Sequence, residues 1–156
     1  MEWDEQRYPA RPVCGTGRRP FRCIRGGGKR DSPAHYDGVD WDDMETGAPR
    51  DDLFGVWAGD NDDVFVVGES GIILHYDGRD WEAVNSRTVQ DLFALWGTSE
   101  AYLFSVGKSG TIVHYDGNEW TAVRSATGED LAAVWGRDDG DEVHVFAVGA
   151  GNTAVR

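Results

Sequence analysis

Residues 110–120 read Gly-Thr-Ile-Val-His-Tyr-Asp-Gly-Asn-Glu-Trp, and this stretch decides the fold. Thr111–Tyr115 is a short run rich in β-branched and aromatic residues. It ends at Asp116-Gly117, the dipeptide that most strongly marks a tight hairpin. The same words occur twice more. His-Tyr-Asp-Gly stands at His35-Tyr36-Asp37-Gly38, at His75-Tyr76-Asp77-Gly78 and at His114-Tyr115-Asp116-Gly117, with spacings of 40 and 39 residues. A tryptophan follows each glycine by three positions: Trp41, Trp81 and Trp120.

Two further motifs recur in fixed order with it. Leu-x-x-(Val/Leu)-Trp appears as Leu53–Trp57, Leu92–Trp96 and Leu131–Trp135. Val/Leu-Phe-x-Val-Gly appears as Val64–Gly68, Leu103–Gly107 and Val145–Gly149. One period, taken over 51–85, therefore holds four apolar runs. Leu53–Trp57, Val64–Val67, Ile72–Tyr76 and Trp81–Val84 are each bounded by Asp, Asn or Gly. No window carries apolar residues at i, i+3, i+4 and i+7 over three turns, so helices are excluded. Four short antiparallel strands in about 40 residues is the pattern of a β-propeller blade. The expected fold is all-β: an incomplete propeller of about three blades. Whole blades are expected at 51–85 and 91–124, the tail of an earlier one at 35–44, and the first two strands of a later one at 130–156. Propellers close at roughly four to eight blades, so the chain is expected to be a piece of a larger propeller or to self-associate.

Composition agrees. The chain has 156 residues, of which 40% are hydrophobic and 12% aromatic, which is enough for a packed core. Its 21 glycines and 7 tryptophans suit turns and strands. With 28 acidic and 15 basic side chains the net charge is −13, which argues against nonspecific binding to nucleic acid or anionic lipid. No membrane-spanning apolar run is present. The charge is uneven: residues 1–34 carry 8 basic and 4 acidic side chains, a net of +4, which leaves −17 for 35–156. Both cysteines, Cys14 and Cys23, lie in the basic part, and no four-ligand zinc pattern exists. Trp3, Asp4 and Glu5 stand where a signal peptide would become apolar, so no leader is read here.

The 1–34 segment contains no recognisable blade. Val13-Cys-Gly-Thr-Gly17 falls in the register of Leu95-Trp-Gly-Thr-Ser99, with cysteine in place of tryptophan. The Arg/Gly/Pro-rich text that follows suits a disordered basic arm, or a blade read out of frame. Shifted by one base, degenerate codons permit Asp-Asp, Phe, Gly and Ser-Gly before His35.

The train Asp91-Leu-Phe-Ala-Leu-Trp-Gly97, Leu103-Phe-Ser-Val-Gly107, Gly110–Gly117, Trp120 resembles the "VWG…DVFAVG…GTILHYDG…W" repeats of predicted secreted and surface proteins of myxobacteria and related bacteria. Those repeats are similar to photosystem-assembly-type and BNR-like propeller repeats. The resemblance covers 35–156 and implies a propeller fold in an extracellular or envelope setting, with no defined activity. A BNR Asp-box has the form Ser-x-Asp-x-Gly-x-Thr-Trp. Here the order is Asp-Gly-x-x-Trp with no Ser two residues before the Asp, so the match to BNR sialidases is incomplete.

The recurrent residues are read as structural. Asp37-Gly38, Asp77-Gly78 and Asp116-Gly117 are expected to be hairpin turns, where Gly takes a positive φ and Asp bonds its own backbone. His35, His75 and His114 fall on third strands, where equivalent positions do not converge on a metal. Trp57, Trp96 and Trp135 are expected to end first strands and Trp41, Trp81 and Trp120 to begin fourth strands. Both sets would wedge between blades, with sugar stacking as the alternative. The candidate calcium ligands are Asp60, Asp62 and Asp63 and, in the second acidic run, Asp138, Asp139 and Asp141. Neither run matches a twelve-residue calcium loop, so solvated turns are expected. No Ser-His-Asp order, nucleophile elbow, phosphate loop or HExxH occurs. The functional expectation is a non-catalytic scaffold without cofactor that binds a protein or a glycan. The alternative is part of a BNR-like glycoside hydrolase.

Overall fold

The computed structural model describes residues 13–14, 23–25, 34–36, 39–46, 51–60 and 62–155. Four antiparallel sheets follow one another along the chain, each with its strands in sequence order. The first contains β1 (Val13–Cys14), β2 (Cys23–Arg25), β3 (Ala34–Tyr36) and β4 (Trp41–Asp43). The second contains β5 (Leu53–Asp60), β6 (Asp63–Gly68), β7 (Ile73–Tyr76) and β8 (Trp81–Val84). The third contains β9 (Leu92–Ser99), β10 (Tyr102–Gly107), β11 (Ile112–Tyr115) and β12 (Trp120–Val123). The fourth contains β13 (Leu131–Asp138), β14 (Val143–Gly149) and β15 (Ala154–Val155). Among the described residues no sheet closes on itself, and in the second, third and fourth sheets the second strand passes to the third through a 3-10 turn that ends at Gly71, Gly110 and Asn152.

Register repeats with the sequence. Tyr36 lies opposite Trp41, Tyr76 opposite Trp81 and Tyr115 opposite Trp120. Phe65 lies opposite both Trp57 and His75, and Phe104 opposite both Trp96 and His114. The first strands of successive sheets adjoin, β5 with β9 and β9 with β13.

Both faces of the second and third sheets are packed, which explains why their strands are apolar on consecutive positions rather than alternating. On one face of the second sheet, Leu53, Val56, Val64, Val66 and Leu74 form a cluster with Tyr76 and Trp81. The other face packs Phe65, Val67 and Ile73 onto Leu92, Leu103, Val113 and Trp120 of the third sheet. A third cluster joins Val106 to Leu131 and Ala147 of the fourth sheet. The last glycine of each second strand is fixed by close approach. A Cβ on Gly107 would lie 1.9 Å from the carbonyl oxygen of Asp91, which accepts the Lys108 N–H at 2.9 Å.

Two expectations need correction. The 130–156 segment forms three strands, not two. Ala154–Val155 pairs with Ala147–Val148, because main-chain pairing needs only two extended residues in register. First strands do not end at tryptophan: β5, β9 and β13 each run three residues past Trp57, Trp96 and Trp135. The sheet that includes 35–44 extends upstream through β2 to β1, and β1 holds the Val13-Cys14 pair that the sequence aligns with a first strand. In it Cys14 lies opposite Cys23. The other residues of 1–33, and with them most of the disordered or out-of-frame reading, lie outside the described residues, as do Asp37 and Gly38.

Candidate functional site

The recurrent side chains meet at the seams between the second and third and the third and fourth sheets, and at the turns that end the strands. At the seam of the second and third sheets, Phe65 is 1% exposed. His75 stacks on it with ring centroids 4.2 Å apart and planes at 12°. From the third sheet, Tyr115 and Trp120 close over Phe65 at 5.4 and 6.1 Å. Trp57 reaches across the same seam, and its indole N–H donates to the Gly97 carbonyl at 3.2 Å.

Asp63 corrects the reading of the first acidic run. It is not a solvated turn residue. It opens β6, is 9% exposed, and one carboxylate oxygen lies 2.5 Å from His75 Nε2. Its other oxygen, Oδ2, is buried without a hydrogen-bond partner. Two residues separate it from Asp60, its cross-strand partner at the end of β5. The nearby Asp63 charge also raises the Tyr115 phenol above its ordinary value, after burial of the ring, which contributes most. This position varies from repeat to repeat. Tyr102 occupies it in the third sheet, edge-on to His114 at 4.7 Å, and His144 occupies it in the fourth. His114 Nε2 is accordingly buried without a partner, and burial lowers its pKa.

The Asp-Gly motifs make self-contained turns. Asp77 Oδ1 accepts the N–H groups of Arg79 and Asp80 at 2.9 Å each, and Gly78 has φ of 92°. Asp116 Oδ1 accepts those of Asn118 and Glu119 at 2.9 and 3.0 Å, with Gly117 at φ 94°. These donors hold both carboxyls below the usual carboxylate value, with the Asp80 and Glu119 N–H groups contributing most. In each turn Oδ1 of the carboxylate is engaged by its own loop.

The second acidic run behaves similarly. Asp138 ends β13 and accepts the Gly140 N–H at 2.8 Å, and Asp139 accepts the Glu142 N–H at 3.2 Å. His144 lies 3.8 Å from both Asp139 and Glu142. Among the described residues no group of three or more His, Cys, Asp or Glu is placed to hold a metal ion.

The tryptophans divide. Trp120 is fully buried, and Trp57, Trp81 and Trp96 are half-buried. Trp135 is 61% exposed and stacks only on Phe146 of its own sheet, so it wedges no seam. The side chains of His35, Tyr36 and Trp41 lie outside the described residues. A fourth recurrent element escaped the sequence reading: Ser-x-Thr-x-x-Asp at 86–91 and 125–130. The hydroxyls of Ser86 and Ser125 donate to the carbonyls of Thr88 and Thr127 at 3.1 and 2.7 Å. The closing aspartates then accept the N–H groups of Ser70 and Ser109 from the preceding sheet, at 2.9 and 2.8 Å. Its spacing was visible as a repeat, but its cross-sheet partner was not.

Among the described residues no helix is long and apolar enough to cross a membrane. No family model matches the chain, and no curated protein matches it.

Proposed function

We propose that the sheets are blades of a β-propeller and that the protein is a non-catalytic scaffold presenting its turns to a protein or a glycan. One observation supports this most directly: the recurrent side chains are engaged in packing and in closing turns. Tyr115 and Trp120 cover the preceding sheet, and Asp77 and Asp116 close their own hairpins. What remains for recognition is the set of exposed turns: the third hairpin turn carries Arg79 and Asp80 in the second sheet and Asn118 and Glu119 in the third, and the first hairpin turn of the fourth sheet carries Asp139 and Asp141. Rigid sheets bearing variable loops are a common basis for binding. The resemblance to myxobacterial surface repeats supports an extracellular or envelope setting for such a scaffold, as part of a larger ring.

The test uses the 156-residue chain on a glycan array, with a fluorogenic sialoside assayed in parallel. Binding to protein or glycan without release of the fluorophore is expected. Catalytic release would overturn the scaffold reading in favour of the glycoside-hydrolase one.

A further inference from the structure

The sequence holds 2 cysteines, and the fold places them on one rung of a ladder. Cys14 of β1 and Cys23 of β2 are cross-strand partners in the antiparallel pair that opens the first sheet. Residues at one register position of such a pair share a face of the sheet, with Cα atoms about 4.5–5.5 Å apart. A disulfide needs a Cα separation of about 4.4–6.8 Å. Either kind of antiparallel rung therefore satisfies it, and closure calls for no change of register. A slip of one residue would put the two cysteines on opposite faces. It is the register, and not their closeness along the chain, that brings them together.

The ladder around them is short. β1 has 2 residues and β2 has 3, against 8 and 6 in β5 and β6. So short a pair contributes few main-chain hydrogen bonds of its own. Yet β1 adjoins β5, in the place that β5 takes against β9. A covalent link at this rung would hold the first strand of the first sheet where the second sheet meets it.

We infer that Cys14 and Cys23 are an oxidation site and close an intramolecular disulfide across β1 and β2. The chemistry is thiol–disulfide exchange, with a low-molecular-weight disulfide as oxidant. The thiolate of one cysteine attacks a sulfur of the oxidant, forming a mixed disulfide and releasing one thiol. The thiolate of the other cysteine attacks the protein sulfur of that mixed disulfide and displaces the second thiol. The two protein thiols give up two protons and two electrons. The S–S bond of the oxidant breaks, and the Cys14–Cys23 bond forms. Such a bond persists in an oxidising compartment, so the inference bears on the extracellular setting proposed above without resting on it.

The test equilibrates the 156-residue chain with reduced and oxidised glutathione, in buffer and in denaturing urea, and traps the products with acid. Intact mass and a non-reducing tryptic map identify the species, since Arg18, Arg19 and Arg22 divide the two cysteines between peptides. An intramolecular bond is expected. Its equilibrium constant should be about tenfold or more greater in buffer than in urea, a shift of about 30 mV in the two-electron potential. Moving one thiol along the strand, with Cys23→Ser and Ile24→Cys together, should abolish that advantage, because position 24 lies opposite Val13 and not Cys14. Circular dichroism checks that this variant keeps its strands. Equal constants in buffer and urea, glutathione left on both cysteines, or links only between chains would each overturn the proposal. Closure of the shifted pair as readily as the native one would overturn it too, because register would then play no part.

Discussion

The backbone N–H of Ser70 donates to the carboxylate of Asp91 at 2.9 Å, tying the turn of one sheet to the first strand of the next. Ser109 and Asp130 repeat the contact at 2.8 Å. Asp91 also accepts the Lys108 N–H through its own carbonyl, so this one residue holds both sheets. A hydrogen bond to a charged group contributes about 1.5–3 kcal/mol, less where water competes. Asp91→Ala should therefore destabilise by about 1–2 kcal/mol, and Asp91→Asn, which keeps an acceptor oxygen, by less. Urea denaturation of the three proteins checks the order. Equal losses for Ala and Asn would show that charge, rather than the hydrogen bond, matters.

Trp120 and Trp135 are both motif tryptophans, but only Trp120 is enclosed. Trp120→Ala removes a fully buried side chain and should cost about 3–5 kcal/mol. Trp135, at 61% exposed, should change stability by no more than about 0.5 kcal/mol on substitution with alanine. Thermal melts of the two variants test the contrast. A large loss from Trp135→Ala would mean that something in solution covers the last sheet.

Stability should fall in two stages as pH is lowered. Burial holds His114 below its ordinary value of 6.5, so the unfolded chain binds the proton first. The contribution is complete above that value and is lost as pH falls from 6.5 towards the lower folded value. The carboxyls of Asp77 and Asp116 are held below 3.8, so their contribution persists above that value and is lost beneath it. In His114→Phe the first stage should vanish while the second remains. Urea midpoints at pH 7.5, 5.5 and 3.5 distinguish the two, and an unchanged slope between the first pair in the variant would reject the assignment to His114.

Local order was legible and neighbourhood was not. Asp77-Gly78 and Asp116-Gly117 encode their turns within four residues, so the hairpins and the Tyr–Trp register follow from spacing alone. Asp63 read as part of an acidic run because its partner His75 lies on the neighbouring strand, 12 residues along the chain, and nothing local marks it. The Ser-x-Thr-x-x-Asp linkers looked passive because the donors Ser70 and Ser109 come from the sheet before. Trp135 matched Trp57 and Trp96 perfectly in sequence. Its exposure depends on what packs against its sheet, which its own motif does not contain.

One cross-sheet dependence is written in the sequence as a covariation. Trp57 lies against Gly97, its indole bonded to that carbonyl, and Trp96 lies against Gly136. A Cβ built on Gly136 would sit 2.5 Å from the Trp96 ring, which is rigid and cannot yield by a rotamer change at its far end. Where the repeat register has Cys14 instead of tryptophan, the residue at the next sheet's glycine position is Ala58. Gly136→Ala should accordingly destabilise by about 1–3 kcal/mol through overpacking. In a Trp96→Ala background the same change should cost little, giving a coupling of about 1 kcal/mol or more between the two sites. The four proteins of this cycle, compared by urea denaturation, decide it. Additive losses would mean that glycine is required at 136 for its backbone and not to make room for the tryptophan of the sheet before.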